Sequence, residues 1–404
     1  MNVLGMWVWP QNVKLRGARQ VVESCSAVGV TDLYFLTKGL AGTTSFQGHH
    51  APAFCERDLL RELLDVAHQR GLRVHAWFTS ASDEHYKRLF PESGRCHLVR
   101  GRDKGLISLA DEGYLRYMQG IVGEVCQNYE VDGLHLDYIR YNHLLYGWAE
   151  EDMRRYRAQG VDAQEIRRLL ERTFLQDDRD ENCIFNAYRS AHPSVLALAR
   201  ARRQDVVHFA QALTQAALAE NSRLILSAAL MPEGAYEDTA FSDLHYGQNY
   251  ADAAALFHDA LPMAYSHAYA RDERWVAAVA QGTLKHGMRT IVGLHAYEGA
   301  TGSSLKRDWQ AAASTPAQGV CLFREGATAL ACTDGAEVCV HNTLDESITE
   351  VVCRNGAEQA VIKQTVAPGC WAAFRSPFPV QELSVFCAET EKCVFLSRNP
   401  PKHS

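Results

Sequence analysis

The chain has 404 residues, of which 47% are hydrophobic and 22% charged, and a formal net charge of −7. That length holds one large domain and a small one, and the apolar fraction supports a sizeable core and excludes a disordered chain. The acidic balance argues against a nucleic-acid or anionic-membrane partner, and no apolar run approaches the roughly 20 residues that cross a bilayer.

From the first residue to about residue 327, short apolar strands alternate with amphipathic helices. The strand-like runs, in order, are VLGMWVW, VTDLYFL, LRVHAWF, VDGLHLDYI, RLILSAALM, ALPMAYS, RTIVGLHAY and GVCLF. The first begins almost at Met1, so no leader is expected and a cytoplasmic location is, unless a leader has been removed from a mature secreted form. Helical stripes separate the strands. One runs through Leu59, Leu60, Leu63, Leu64 and Ala67 and stops at Gly71, and another runs from Trp275 to Leu284 and stops at Gly287. A C-terminal glycine of this kind supplies the left-handed residue that ends a helix. Eight such βα units predict a (β/α)8 TIM barrel over 1–327. A doubly wound open sheet is the alternative, but WVWPQNVKLRG after the first strand is no phosphate-binding turn.

Residues 142–200 exceed an ordinary βα connection, and patterns such as AQEIRRLLERTFL predict a helical insertion over the barrel mouth. The arginines of RRYRAQ and RARRQ are expected on solvated helix faces. After Gly326 short β-prone runs alternate with turn residues, predicting a small antiparallel, sandwich-like β domain over 328–404. The chain has 12 cysteines, six of them beyond residue 331. None forms a CxxC pair, and no HxH or HExxH spacing occurs, so no metal or other cofactor is expected. Buried free thiols are expected in a reducing compartment, and pairing among the C-terminal ones in an oxidising one.

Side chains along a strand alternate between its two faces. In VDGLHLDYIRY, Leu134 and Leu136 share the face that meets the helices, leaving Gly133, His135 and Asp137 to look into the barrel. Asp137 is then nearest the C-terminal rim, where barrel active sites lie. The same parity puts Glu233 at the rim after the fifth strand, although Pro232 breaks the strand just before it. It directs His295 and Tyr297 inward on the seventh strand, His75 and Trp77 on the third, and Trp7 and Trp9 on the first. Tyr138, Arg140 and Tyr265 stand at the ends of strands four and six. Two carboxylates among aromatics suit a sugar, whose C–H faces stack on rings and whose hydroxyls need hydrogen bonds. Across a glycosidic bond one carboxylate attacks and the other donates a proton to the leaving oxygen. Asp137, with the positive Arg140 beside it, is the expected nucleophile and Glu233 the acid/base; Glu298 and Glu325 are the alternatives to Glu233. A carbohydrate substrate is thus the expected partner. A carbohydrate-binding barrel without chemistry is the alternative function, and a metal-dependent hydrolase using His75, His135 and His295 is a weaker one.

The string NYEVDGLHLDYIRY resembles the signature of the glycosyl-hydrolase-like 10 family. GLRVHAWF, ISLADEGYLRYMQGIVGEVCQNY, RARRQDVVHFAQAL and DALPMAYS resemble that family's segments in the same order, over roughly residues 2–327. The resemblance implies a TIM barrel distantly related to α-amylase-like glycosidases. Gly133-x-His135-x-Asp137 then resembles their G-x-R-x-D segment, which gives Asp137 the nucleophile role and Glu233 the acid/base role. His135 stands where that segment has arginine, and His295 is the one counterpart of their seventh-strand His-Asp pair.

Overall fold

The computed structural model describes residues 1–398, apart from the side chains of residues 103–105. Eight parallel strands close a barrel: β1 (Val3–Val8), β2 (Asp32–Lys38), β3 (Arg73–Thr79), β4 (Gly133–Asp137), β5 (Ile225–Leu230), β6 (Asp259–Ala264), β7 (Arg289–His295) and β8 (Gly319–Phe323). Each pairs with the next, and β8 closes on β1. The fold is a (β/α)8 TIM barrel, and each expected strand run overlaps one of these strands.

Alternation sorts the side chains as the pattern requires. Leu134, Leu136, Val74, Phe78, Val292 and Leu294 join one core between the strands and the surrounding helices. Each such buried aliphatic side chain contributes about 1.5–3 kcal/mol. Trp7, Tyr34, Trp77, Leu261, Ile291 and Cys321 fill a second core inside the cylinder. These rings need room on the facing strands, and glycine supplies it. A Cβ on Gly133 would stand 2.3 Å from Nδ1 of His75 and 2.6 Å from the Ile225 carbonyl oxygen, and one on Gly293 would stand 3.0 Å from the Trp7 ring.

The β4–β5 connection carries the insertion, with helices Glu150–Ala158, Ala163–Leu170 and Cys183–Arg189 and their own apolar core around Leu144, Ile166, Phe185 and Leu198. The helix Pro193–Glu220 serves both bodies. Val195 and Leu198 belong to the insertion core, while Phe209 and Leu213 belong to the barrel. In its arginine run Arg200 is exposed as expected, while Arg202 corrects the expectation of a solvated face. Arg202 is fully buried, stacks 3.7 Å from the centre of the Tyr141 ring, and donates to the carbonyls of His143, Tyr146 and His245. A hairpin, Gly94–His97 with Gly101–Ile107, was not anticipated; it joins the insertion through Leu98 N–H to Leu145 O at 2.8 Å.

Beyond the barrel, two four-stranded sheets enclose a third core around Ala331, Val340, Val351 and Val385. The first contains β9 (Ala329–Asp334), β10 (Glu337–His341), β13 (Trp371–Arg375) and β16 (Val394–Arg398). The second contains β11 (Glu350–Asn355), β12 (Glu358–Ile362), β14 (Glu382–Cys387) and β15 (Thr390–Lys392). Pairing is antiparallel except between β9 and β16, which run parallel. Residues 399–404 of the expected second domain lie outside the described residues. Among the described residues no helix is long and apolar enough to cross a membrane.

Candidate active site

Strand register fixes depth along the barrel axis. Tyr34, His75 and Gly133 share one rung, Trp77 and His135 the next, and Thr79 and Asp137 the one nearest the C-terminal rim. Asp137 is therefore the highest inward residue of β4. The chain then turns through Tyr138, a non-glycine residue at φ 56°, and this turn brings the Tyr138 amide onto Asp137 Oδ1 at 2.7 Å. A left-handed tyrosine is strained, and such strain persists only where surrounding contacts fix it. Arg140 supplies one such contact, its guanidinium lying 3.1 Å from the same Oδ1 and 4.6 Å from the centre of the Tyr138 ring. Trp77 Nε1 donates to Oδ2 at 3.3 Å. Both carboxylate oxygens are thus oriented.

Glu233 sits in a short 3-10 turn, Pro232–Ala235, directly after β5. Its carboxylate accepts long hydrogen bonds from Tyr246 Oη (3.4 Å) and Tyr269 Oη (3.3 Å). Burial pushes its pKa up, opposed by those hydroxyls and by the charge of Arg140. Arg140 therefore acts on both rim carboxylates. Backbone and side-chain bonds bring their two loops together. The Tyr141 amide donates to Tyr246 O at 2.9 Å, and Gln248 spans from the Met231 amide (3.0 Å) to Ile139 O (3.4 Å).

The two alternative acids differ in setting. Glu325 is fully buried, ion-paired with Arg16, and accepts from Asn12 Nδ2 at 2.7 Å, which ties the first helix to the end of β8. Glu298 is exposed on the loop after β7 and contributes its backbone carbonyl to His295 Nε2 at 2.9 Å.

The aromatics and histidines divide by depth. His75 is 1% exposed, pairs with Asp32 at 2.8 Å and stacks on Tyr34, well below the rim. His135 is wholly buried one rung beneath Asp137. Burial holds its pKa far below the usual imidazole value, so the ring is neutral. Its Nε2 accepts from Trp7 Nε1 at 3.4 Å and its Nδ1 donates to Ser227 Oγ at 2.9 Å. Trp7 is 1% exposed and packs against Trp77 and Phe323. These three side chains form the floor beneath the mouth rather than its lining.

At the mouth itself, His295 stacks on Tyr297 with centroids 3.9 Å apart and meets Tyr265 edge-on. Burial raises the pKa of Tyr265 well above the phenol value, and the Asp137 charge adds to that. Trp9 lies against Arg324, whose guanidinium is 3.6 Å from its ring centre. Sequence periodicity missed Tyr246, Tyr269 and Phe323. Tyr246 ends the short helix Ser242–Tyr246 and Tyr269 lies in a turn after β6, so strand alternation carries no information about either. Among the described residues no group of three His, Cys, Asp or Glu side chains is placed to hold a metal.

No family model and no curated protein matches the chain. Solved structures do. The glycoside hydrolase domain of PgaB (BpsB) from Bordetella bronchiseptica superposes with a TM-score of 0.64 at 13% identity, over 80% of this chain and 94% of that one. The chain has the barrel fold of glycoside hydrolases. A β-galactosidase from the psychrophilic Marinomonas ef1 (TM-score 0.58, 15% identity) is matched over 80% of this chain and 54% of its own. The β-amylase catalytic domain of Paenibacillus polymyxa (TM-score 0.55, 9% identity) is matched over 80% and 92%. In TIM-barrel enzymes active sites lie at the C-terminal strand ends, the end at which Asp137 and Glu233 stand in this chain.

Proposed function

We propose that the protein is a glycoside hydrolase acting on an oligo- or polysaccharide with retention of configuration, of the glycosyl-hydrolase-like 10 kind. One observation carries this reading: a single guanidinium, Arg140, serves two rim carboxylates whose surroundings differ. Asp137 is held by an amide, an indole and an ion pair, so its attacking oxygen has a fixed orientation. Glu233 is enclosed, and its raised pKa favours the protonated form that a leaving oxygen needs.

Asp137 attacks the anomeric carbon while Glu233 protonates the departing oxygen; water, deprotonated by Glu233, then releases the sugar. Tyr246 and Tyr269 hold the acid/base, and Trp77 holds the nucleophile. Trp9, Tyr138, Tyr265, His295 and Tyr297 contact the sugar, while Trp7, His75 and His135 support that surface from below. Purified protein is expected to release reducing sugar from a panel of glycans, with the anomer of the first product retained by NMR. Asp137→Asn is expected to lower that rate at least about 10³-fold without lowering the melting temperature. Equal activity in the variant rejects the nucleophile, and sugar binding without any turnover points instead to a binding barrel.

A further inference from the structure

A second chemically distinct cluster stands on the first sheet of the C-terminal sandwich, away from the barrel mouth. Cys332 on β9 and Cys339 on β10 are direct partners in the antiparallel ladder. Residues so opposed have Cα atoms about 4.5–5.5 Å apart. That lies within the span of about 4.4–6.8 Å that a disulfide bridges without backbone movement. Their side chains leave the face opposite Ala331, Val338 and Val340, which build the sandwich core. On the same face Leu330 and Phe395 join the barrel core, and Cys332 packs against it. The pair therefore lies at the seam between the two bodies. His341 brings Nε2 to 3.6 Å from the Cys339 sulfur, and its ring is stacked by Trp371, which is 64% exposed. Glu23, on the barrel helix Ala18–Ala27, faces His341 and is itself paired with Arg70.

We propose that Cys332 and Cys339 form a redox-active dithiol, which hydrogen peroxide converts into a cross-strand disulfide that a thiol reductant reopens. The Cys332 thiolate attacks the O–O bond, becoming a sulfenic acid and releasing one oxygen, which takes a proton and leaves as water. Cys339 sulfur then attacks the sulfenic sulfur, forming the S–S bond and expelling the second oxygen as water. The Cys339 proton goes to that oxygen by way of the neighbouring His341 imidazole. Two thiols lose two electrons, and one peroxide is reduced to two waters.

The two sulfurs are not equivalent. A hydrogen bond from Cys339 holds the Cys332 thiol below its usual pKa, while the same bond, together with burial, holds Cys339 above it. An imidazole stands beside the Cys339 sulfur, able to carry the proton that a resolving thiol must give up, which divides the pair into an attacking Cys332 and a resolving Cys339. By contrast, burial raises the pKa of Cys25, Cys126, Cys321 and Cys393 and leaves them unreactive.

The inference does not depend on the hydrolase reading. Full-length protein is treated with a small molar excess of hydrogen peroxide, alkylated, digested and mapped by mass spectrometry. Cys332 and Cys339 are expected to vanish together as one linked peptide, at least about tenfold faster than the exposed Cys370 is modified, and to return with dithiothreitol. In Cys339→Ser the oxidation stops at a sulfenic acid on Cys332 that dimedone traps. If both thiols remain alkylatable while Cys370 is oxidised, or if either bonds a different cysteine, the proposal is overturned.

Discussion

Asp32 and Glu233, at opposite ends of the barrel, are carboxylates under opposite conditions. At the N-terminal end Asp32 receives His75 Nε2 at 2.8 Å, Thr31 Oγ1 at 2.6 Å and a two-nitrogen contact from Arg73 at 2.8 and 2.9 Å. Burial opposes its ionisation, but hydrogen bonds from His75 and Arg73 outweigh that and bring its pKa down to about 2. At the C-terminal end Glu233 has its own backbone amide, two tyrosine hydroxyls at 3.3–3.4 Å and the more distant charge of Arg140, and burial wins, raising its pKa. Partner quality, rather than depth alone, decides which carboxylate stays charged. The saturated carboxylate, Asp32, holds the fold together, and the less saturated one, Glu233, retains the capacity to exchange a proton.

Substitutions at each end should separate these roles. Asp32→Ala strands Arg73 and His75 and is expected to cost about 3–5 kcal/mol in urea melts, while turnover per folded molecule stays within about twofold. If turnover falls with stability intact, the contrast is broken. Glu233→Gln should do the reverse, leaving the melt unchanged and lowering hydrolysis of a natural glycan about 10²–10³-fold. Aryl glycosides with good leaving groups, which need no proton, should be affected less.

Acid should expose the first contrast again. Because Asp32 is depressed below its unfolded value of about 4, its contribution is complete above that pH and disappears as pH falls through about 2. Wild type is expected to lose about 2–3 kcal/mol across that window relative to Asp32→Asn, measured by denaturant melts at fixed pH. The smallest expected effect is at the other end. Tyr269→Phe removes a donor that favours ionised Glu233, so the basic limb of the kcat/KM profile should move to higher pH.

Much of the barrel was legible in the chain. Alternation alone assigned Leu134 and Leu136 to the helix side and put Asp137 inside, because neighbouring side chains on any strand point to opposite faces. Glu233 was legible by extending that count past a proline, and it stands at the rim because the turn Pro232–Ala235 keeps it beside Tyr246 and Tyr269. Period could not rank the inward residues by height. Trp7, His75 and His135 have the same parity as rim residues but occupy lower rungs.

The sequence by itself determined the order of strands and helices, the face of each strand side chain, and the position of one carboxylate at a strand end. Those are local properties, set by backbone geometry within a few residues. Only the tertiary structure decided depth, because the stagger between neighbouring strands assigns each residue its rung. It also decided the fate of charges: Arg202 was drawn from a helix face into the insertion by Tyr141 and three carbonyls, and Glu325 was committed to Arg16. A charge can be buried when partners arrive from distant segments, and no short stretch of sequence carries that information.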